Sequence, residues 1–496
     1  MISTNRTIIP TPMPLQKANI IGSGPNGLAA AITLAQRGVA VTVYERNPRL
    51  GGACATGEIT LPGFHHDLGS SCYPLGVASP FFNSLPLADH GLRWIEPPAA
   101  LAHPLDDGTA VTLEHSLKET AAQLGPNLYS HDPKAWRSLF ASSVRDWPNL
   151  VADFTQPLLR LPSHPVAMAT FGLPALLPAQ TLARTVFNGE RARALFAGCA
   201  AHSVLPLSHI ASAATGIVFV AAAHTTGWPI AAGGAQSITN ALAAHLNSLG
   251  GKILLDTDIS NLADLPPADA TLFDTSVDAL LNIAGAALTP AFRSTLGRFK
   301  PGPGIFKLDF ALSSPIPWKD PACSRAATVH LGGTLAEIAR SEHDAFYGRL
   351  NDRPYVLLVQ PSLFDPSRAP LASTGQAQHT AWAYCHVPSG STVDRTEIIL
   401  NQIERFAPNF RDTILAYVPS NTSTLAHWNP NLIGGDVSGG AMTLSQLLFR
   451  PTPRGYRTSN PSIYLCSSST PPGGGVHGMC GNLAALAALR DHAPRS

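Results

Sequence analysis

Gly22-Ser23-Gly24-Pro25-Asn26-Gly27 follows the short apolar run Ala18-Asn19-Ile20-Ile21 and precedes Leu28 to Arg37, a stretch of helical character that Gly38 closes. Glycines at this spacing, between a strand and a helix, cradle a diphosphate. Gly22 permits the tight turn, Gly24 lets phosphate oxygens approach the backbone, and Gly27 lets the helix pack on the strand. The helix N-terminus adds free N–H groups and a partial positive charge, so Pro25 and Asn26 join the expected cofactor contacts. A second β-rich run, Val39 to Tyr44, ends at Glu45, whose carboxylate is suited to a ribose diol. Arg46 and, after a short loop, Gly51-Gly52-Ala53 come next. A second close backbone approach just past the ribose acid favours FAD over NAD.

Other residues have the chemistry to act on a substrate. Lys307 lies inside an otherwise apolar strand, Gly304-Ile305-Phe306-Lys307-Leu308-Asp309-Phe310, in a chain with seven lysines. Burial disfavours the ammonium, so such a lysine could serve as a base; the alternative is a salt-bridged lysine at a domain seam. Trp382, Tyr384 and His386 alternate and would share one strand face. That face either lines a flat apolar cavity or forms an aromatic core with a satisfied histidine. Lys307, Tyr384 and His386 are the expected catalytic residues. Near the C-terminus, Gly473-Gly474-Gly475-Val476-His477-Gly478 opens a helix from Met479 to about Arg490, a second cradle friendly to anions. His65-His66-Asp67 has the residue types of a metal site, but adjacent histidines on a strand face opposite ways, so no metal is expected.

Positioning these groups takes a large fold. A chain of 496 residues predicts two or more intertwined domains. A Rossmann-like α/β FAD-binding domain is expected from residues 17–105, 230–290 and 455–496. An inserted α+β substrate domain is expected from 106–229 and 291–454, and 1–16 reads as a disordered tail. The first insert is mostly helical, with a capping box at Ser116 to Glu119. The second has strands at Ile305 to Leu312, Tyr355 to Gln360 and Thr380 to His386, and a helix from about Asp394 to Phe406.

Composition excludes several functions. Lysine plus arginine (33) nearly balances aspartate plus glutamate (32), with no basic cluster for nucleic acid. Seven scattered cysteines without C-x-x-C argue for a reducing compartment and against dithiol chemistry. Without a signal-peptide pattern, a cytoplasmic protein is expected. The most apolar run, Ile210 to Ala223, is short for a membrane span and reads as a core helix, with peripheral membrane contact as the alternative. Oligomeric state has no signature.

The segments Gly22 to Asp67 and Thr470 to Gly481 resemble the phytoene-desaturase-related, FAD-dependent oxidoreductases of the amine-oxidase-like superfamily. The pattern is closest to the branch labelled pyridine nucleotide-disulfide oxidoreductase domain-containing. Trp382 to Pro388 and Gly434-Gly435-Asp436 also fit, so the resemblance covers nearly the whole chain. It implies noncovalent FAD, with an apolar contact to adenine from Ile259. It implies that the C-terminal helix points its positive end at the flavin, bringing Gly475, Val476 and His477 close. Ser468 stands where relatives carry a ribityl-holding Asp, and Ala53 where they carry Arg. A lysine in the strand equivalent to that of Lys307 holds a water at the flavin in amine oxidases. The implied activity is hydride removal from an apolar unsaturated substrate of carotenoid, retinoid or lipid type, with oxygen or a quinone-like acceptor reoxidising the flavin. Flavin-dependent double-bond isomerisation, amine oxidation, and non-catalytic prenyl binding of the GDP-dissociation-inhibitor kind are the alternatives.

Overall fold

The computed structural model describes residues 14–494. Its first sheet has five parallel strands in the order Ile463–Leu465, Ala270–Phe273, Lys17–Ile21, Ala40–Tyr44 and Lys252–Leu254. The inner strands are almost continuously apolar, as strands covered on both faces must be, while Lys252–Leu254 is an exposed edge. The five strands come from three stretches of chain, so the nucleotide-type domain is discontinuous. The helix after the first strand runs Pro25–Ala35, three residues earlier than the expected start at Leu28. Proline suits the first helical position, where no N–H is needed. The helices Gln236–Ser248 and Met479–Asp491 pack against it, and their apolar faces share one core with the sheet.

The second sheet has seven strands, in the order Ile414–Ser420, Gly304–Leu312, His379–Val387, Val356–Val359, Ala326–Leu331, Ala99–Pro104 and Ala110–Leu113. All neighbours are antiparallel except Ala326–Leu331 with Ala99–Pro104. Alternation sorts their side chains. Phe306, Leu308, Phe310, Val329, Leu358 and Ala383 form one face, packed with Ile399, Leu400 and Ile403 of the helix Thr396–Phe406. The opposite face carries residues in register across the sheet: Thr328, Val359, Trp382 and Asp309 in one row, His330, Leu357, Tyr384 and Lys307 in the next.

Two boundaries need correction. Ala99–Pro104 belongs to the second sheet, so the first nucleotide-domain segment ends before it and not at 105; the strand and its hairpin partner Ala110–Leu113 are legible locally, but the partner that ties them to the sheet, Ala326–Leu331, lies more than two hundred residues away. The expected tail at 1–16 is too long at its inner end. Leu15 is buried, and the Gln16 N–H donates to the Asp269 carboxylate at 2.8 Å; residues 1–13 lie outside the described residues. Among the described residues no single helix is long and apolar enough to cross a membrane. Ser212–Ala223, from the most apolar run, packs against Glu190–Ala201 in the core.

Candidate active site

One cavity of about 460 Å³ joins the C-terminal edge of the parallel sheet to the aromatic face of the second sheet. Ligands bind at that edge of doubly wound sheets because the loops there hold helix N-termini. Gly22, Gly24, Pro25 and Asn26 line it, as do Glu45, Arg46, Gly52 and Ala53. A Cβ on Gly27 would sit 2.1 Å from the Gly22 carbonyl oxygen, so this turn closes only around glycine. The helix N-cap, Gly24, offers no side-chain acceptor, and Asn26 Oδ1 is buried without a partner. The backbone N–H groups of Gly24 and Asn26 make no hydrogen bond among the described residues and are open to an anion, whereas Asn26 Oδ1 is an acceptor that suits a hydroxyl donor.

The Glu45 carboxylate is buried and fully engaged. Oε2 accepts from Ser23 N–H at 3.1 Å and Ser23 Oγ at 2.6 Å; Oε1 accepts from Asn47 N–H and Nδ2, both at 3.0 Å. A carboxylate has about four lone-pair positions. A diol would therefore replace the Ser23 hydroxyl or the Asn47 amide, both of which can rotate away. Gly51 does not line the cavity; its N–H donates to Ser23 Oγ at 3.1 Å and braces the same serine.

The sequence reading missed Asp274. It follows the strand Ala270–Phe273, lines the cavity, and accepts from the Gly27 N–H at 2.7 Å. Burial pushes its carboxyl up to about 7; the Gly27 bond opposes the rise and the Glu45 carboxylate adds to it. A diphosphate competing for the same amide raises that value further, so binding takes up a proton. Affinity for ADP, measured by calorimetry, is expected to be highest below pH 7 and to fall above it, with Asp274→Asn flattening the dependence. The same shift makes the folded state bind more protons than the unfolded chain between the ordinary value of 3.8 and about 7. Stability from this group therefore falls as pH rises through that window.

Ile259 is buried and lines the cavity, and Ser468, Gly475 and Val476 line it too. Val476 has φ 51°, a strained conformation for a β-branched residue. Arg450 shapes this loop: its buried guanidinium donates to the carbonyls of Ser438, Gly439 and Ser468 at 2.8–3.0 Å. His477 does not line the cavity. Its Nδ1 accepts from the Met479 N–H at 3.1 Å, and burial lowers its pKa to about 4, so it serves the helix as a neutral cap. Cys480 also lies off the cavity, its thiol donating to the Gly473 carbonyl at 3.2 Å and pushed by burial to about 12.

The aromatic wall is Trp382 and Tyr384, stacked with centroids 5.6 Å apart, facing Trp228 and Phe219. Burial raises the Tyr384 pKa above the ordinary value, so its phenol stays protonated. Lys307 lies behind this wall. Its ammonium donates to the Asp67 carbonyl at 2.8 Å, the Leu68 carbonyl at 3.4 Å and Asp309 Oδ1 at 2.7 Å, with the Trp382 ring 5.3 Å away. Those bonds use its three protons, which is the salt-bridged alternative at a domain seam. His386 is buried behind Tyr384 and pairs through Nδ1 with Glu342 at 2.7 Å. His66 and Asp67 also part company: His66 is lowered to about 3, chiefly by burial, while Asp67 pairs with Arg368.

Residues 20–85 match the NAD(P)-binding Rossmann-like domain family. The mouse pyridine nucleotide-disulfide oxidoreductase domain-containing protein 2 is 25% identical, with 96% of this chain and 94% of the relative aligned. The 1-hydroxycarotenoid 3,4-desaturase of a Flavobacterium is 33% identical over 22% of each chain. Putrescine oxidase bound to putrescine superposes with a TM-score of 0.60 at 15% identity, covering 96% of this chain and 98% of that structure, a likeness of fold. The chain is thus similar over nearly its whole length to a pyridine nucleotide-disulfide oxidoreductase domain-containing protein and over part of it to a carotenoid desaturase, and it shares the fold of the amine oxidases. In this oxidoreductase-like chain, most of the expected cofactor residues line one cleft, and Gly27, Gly51 and His477 do not line it.

Proposed function

We propose that the chain is an FAD-dependent oxidoreductase that removes hydride from an apolar unsaturated substrate, its flavin reoxidised by oxygen or a quinone-like acceptor. One observation carries this reading. A polar cleft edged by helix N-termini runs without interruption into a cavity walled by Trp228, Phe219, Trp382 and Tyr384. When bound, FAD supplies a two-electron acceptor. The N–H groups of Gly24 and Asn26, with that of Gly27 once it leaves Asp274, would hold its diphosphate, Glu45 its ribose, Ile259 its adenine, and Gly52, Ala53, Ser468, Gly475 and Val476 its flavin end. The uncapped helix start fits such a group. The aromatic wall would exclude water and hold a flat substrate, with the protonated Tyr384 hydroxyl orienting it.

The carboxylates that line the cavity are Glu45, Asp258, Asp274 and Asp436, and none is on the aromatic sheet face. Asp436 already accepts from the N–H groups of Gly302, Ser438 and Gly440. An ammonium substrate would find no counter-charge at the wall, which favours an uncharged substrate over an amine. The test is the visible spectrum of the purified protein, before and after denaturation, followed by anaerobic titration with polyenes, retinoids and amines. Flavin bands released on denaturation and bleached by an uncharged polyene are expected. A protein that takes up no flavin sinks the oxidoreductase reading in favour of a lipid-binding one.

The same reading includes peripheral contact with a membrane that supplies the substrate, in a reducing cytoplasm. Leu161, Val166 and Leu173 are exposed to 92%, 78% and 76% on the segment leading into and along the helix Pro165–Ala175. Phosphatidylcholine vesicles are expected to sediment the protein, and Leu161→Ser with Leu173→Ser to weaken this at least about tenfold, from the apolar area withdrawn. Unchanged sedimentation of the double variant removes this surface from the proposal.

A further inference from the structure

The substrate half of the cavity contains a pair of histidines with no assigned task. His202 follows the helix Glu190–Ala201 and lines the cavity, and His330 is fully buried on the strand Ala326–Leu331 behind it. Their Nε2 atoms are 2.9 Å apart. Two ring nitrogens at that distance share one proton, so one ring donates and the other accepts. Burial lowers His202 to about 3, helped by His386, and lowers His330 far below the ordinary range, so both rings are neutral. Each then carries a single N–H, and fixing one tautomer fixes the other.

Two arrangements exist, and the surroundings of His330 choose between them. His330 Nδ1 is buried without a partner, pressed against Gly198, where a Cβ would lie 2.5 Å away. If His202 donated to His330, the His330 proton would sit on Nδ1 as an orphaned buried N–H. If His330 donates, Nδ1 is an unfilled acceptor, the less costly defect. That arrangement puts the His202 proton on Nδ1, the ring nitrogen with no protein partner. The neighbouring polar groups are already occupied. Trp228 Nε1 donates to Thr328 Oγ1 at 3.0 Å, Thr328 Oγ1 and Cys72 Sγ bond each other at 3.1 Å, and Trp382 Nε1 donates to Ser71 Oγ at 2.7 Å. The Tyr384 hydroxyl can donate or accept and so does not discriminate.

We infer that His202, its tautomer fixed by His330, presents an N–H donor inside the apolar cavity and selects substrates carrying a neutral acceptor oxygen, a carbonyl or hydroxyl. This rests on the proposed function in placing the substrate against the aromatic wall, and it narrows the substrate to an oxygenated apolar molecule. A site built to donate rejects an analogue lacking the acceptor, because its buried N–H is then left unpaired. His202 is the specificity residue and His330 a positioning residue that acts through it.

The test uses three soluble probes of similar size on the cofactor-loaded protein, with affinities from ligand-observed NMR. Toluene has no polar group, acetophenone only an acceptor, and indole only a donor. Acetophenone is expected to bind about five- to tenfold more tightly than toluene, as one net hydrogen bond allows, and indole no more tightly than its apolar area explains. His202→Phe should erase the preference for acetophenone while leaving toluene unchanged, and His202→Gln, which keeps an N–H, should restore part of it. His330→Leu should weaken acetophenone and strengthen indole relative to it, a shift that mere loosening of the fold would not produce. Equal binding of acetophenone and toluene, a preference for indole, or no binding of any probe overturns the inference. Binding is read without turnover, so a protein that prefers acetophenone but is bleached by no substrate would sink the redox reading and leave this one standing.

Discussion

Gly481→Ala is expected to destabilise the protein by about 3 kcal/mol or more, the upper range for overpacking, and to abolish flavin binding with it. Gly481 lies in the first turn of the helix Met479–Asp491, where that helix crosses Pro25–Ala35. A Cβ there would lie 1.8 Å from the Asn26 carbonyl oxygen, 2.7 Å from its carbon and 2.9 Å from Ala30 N. All three are backbone atoms, so no side chain can rotate aside and the helices must separate. The Asn26 carbonyl belongs to the same peptide unit as the Gly27 N–H, the amide that meets Asp274. A shift of that unit moves the anion cradle directly. The denaturation midpoint and the visible flavin bands are the readouts. Gly172→Ala is the control: that glycine is inside a helix with nothing within 4 Å of the added carbon, and alanine there should be neutral or stabilising by up to about 1 kcal/mol. Equal behaviour of the two variants would contradict the packing argument.

What could be read from the sequence was local. The glycine turn, Glu45 and the cradle at Gly473 to Gly478 are contiguous in the chain, and each follows from a strand and a helix placed by their own periodicity. The shared face of Trp382 and Tyr384 follows from the two-residue repeat of a strand. What the sequence withheld are contacts closed by the fold. Asp274 meets Gly27 across 247 residues, Arg368 meets Asp67 across 301, and His202 meets His330 across 128. Nothing near any of them in sequence marks the partner. Lys307 shows the same limit from the other side. Its burial was legible, but the Asp67 carbonyl that accepts its hydrogen bond lies 240 residues away. Asp274 had one usable signal, its position directly after an apolar run in the second nucleotide segment, where a sheet-edge loop is expected.

Arg368→Leu is the second substitution with a large expected effect, because it strands a charge. Arg368 and Asp67 are each about 1% exposed and form a direct ion pair, with Asp365 3.3 Å from the Arg368 Nε. Asp67 also accepts from Ala235 N–H at 2.8 Å, Thr56 Oγ1 at 2.9 Å and Ser71 Oγ at 2.6 Å. Ser71 in turn accepts the Trp382 indole N–H, so the pair fixes an aromatic residue of the cavity wall. Removing one partner of a buried pair typically costs about 3–5 kcal/mol, because the remaining charge is left uncompensated. Arg368→Leu combined with Asp67→Asn removes both charges, and should be markedly more stable than Arg368→Leu alone. The pH dependence has a definite sign. Burial raises the Asp67 carboxyl, but the Arg368 charge and the hydrogen bonds outweigh it, so its pKa ends below the ordinary 3.8. A depressed carboxyl contributes stability above 3.8 that is lost as pH falls through its folded value. Without Arg368 the loss should begin at higher pH, and tryptophan fluorescence should report a disturbed cavity wall. If Arg368→Leu unfolds at the wild-type denaturant concentration and keeps the wild-type acid limb, Asp67 is held by its hydrogen bonds alone and the ion pair does not set the wall.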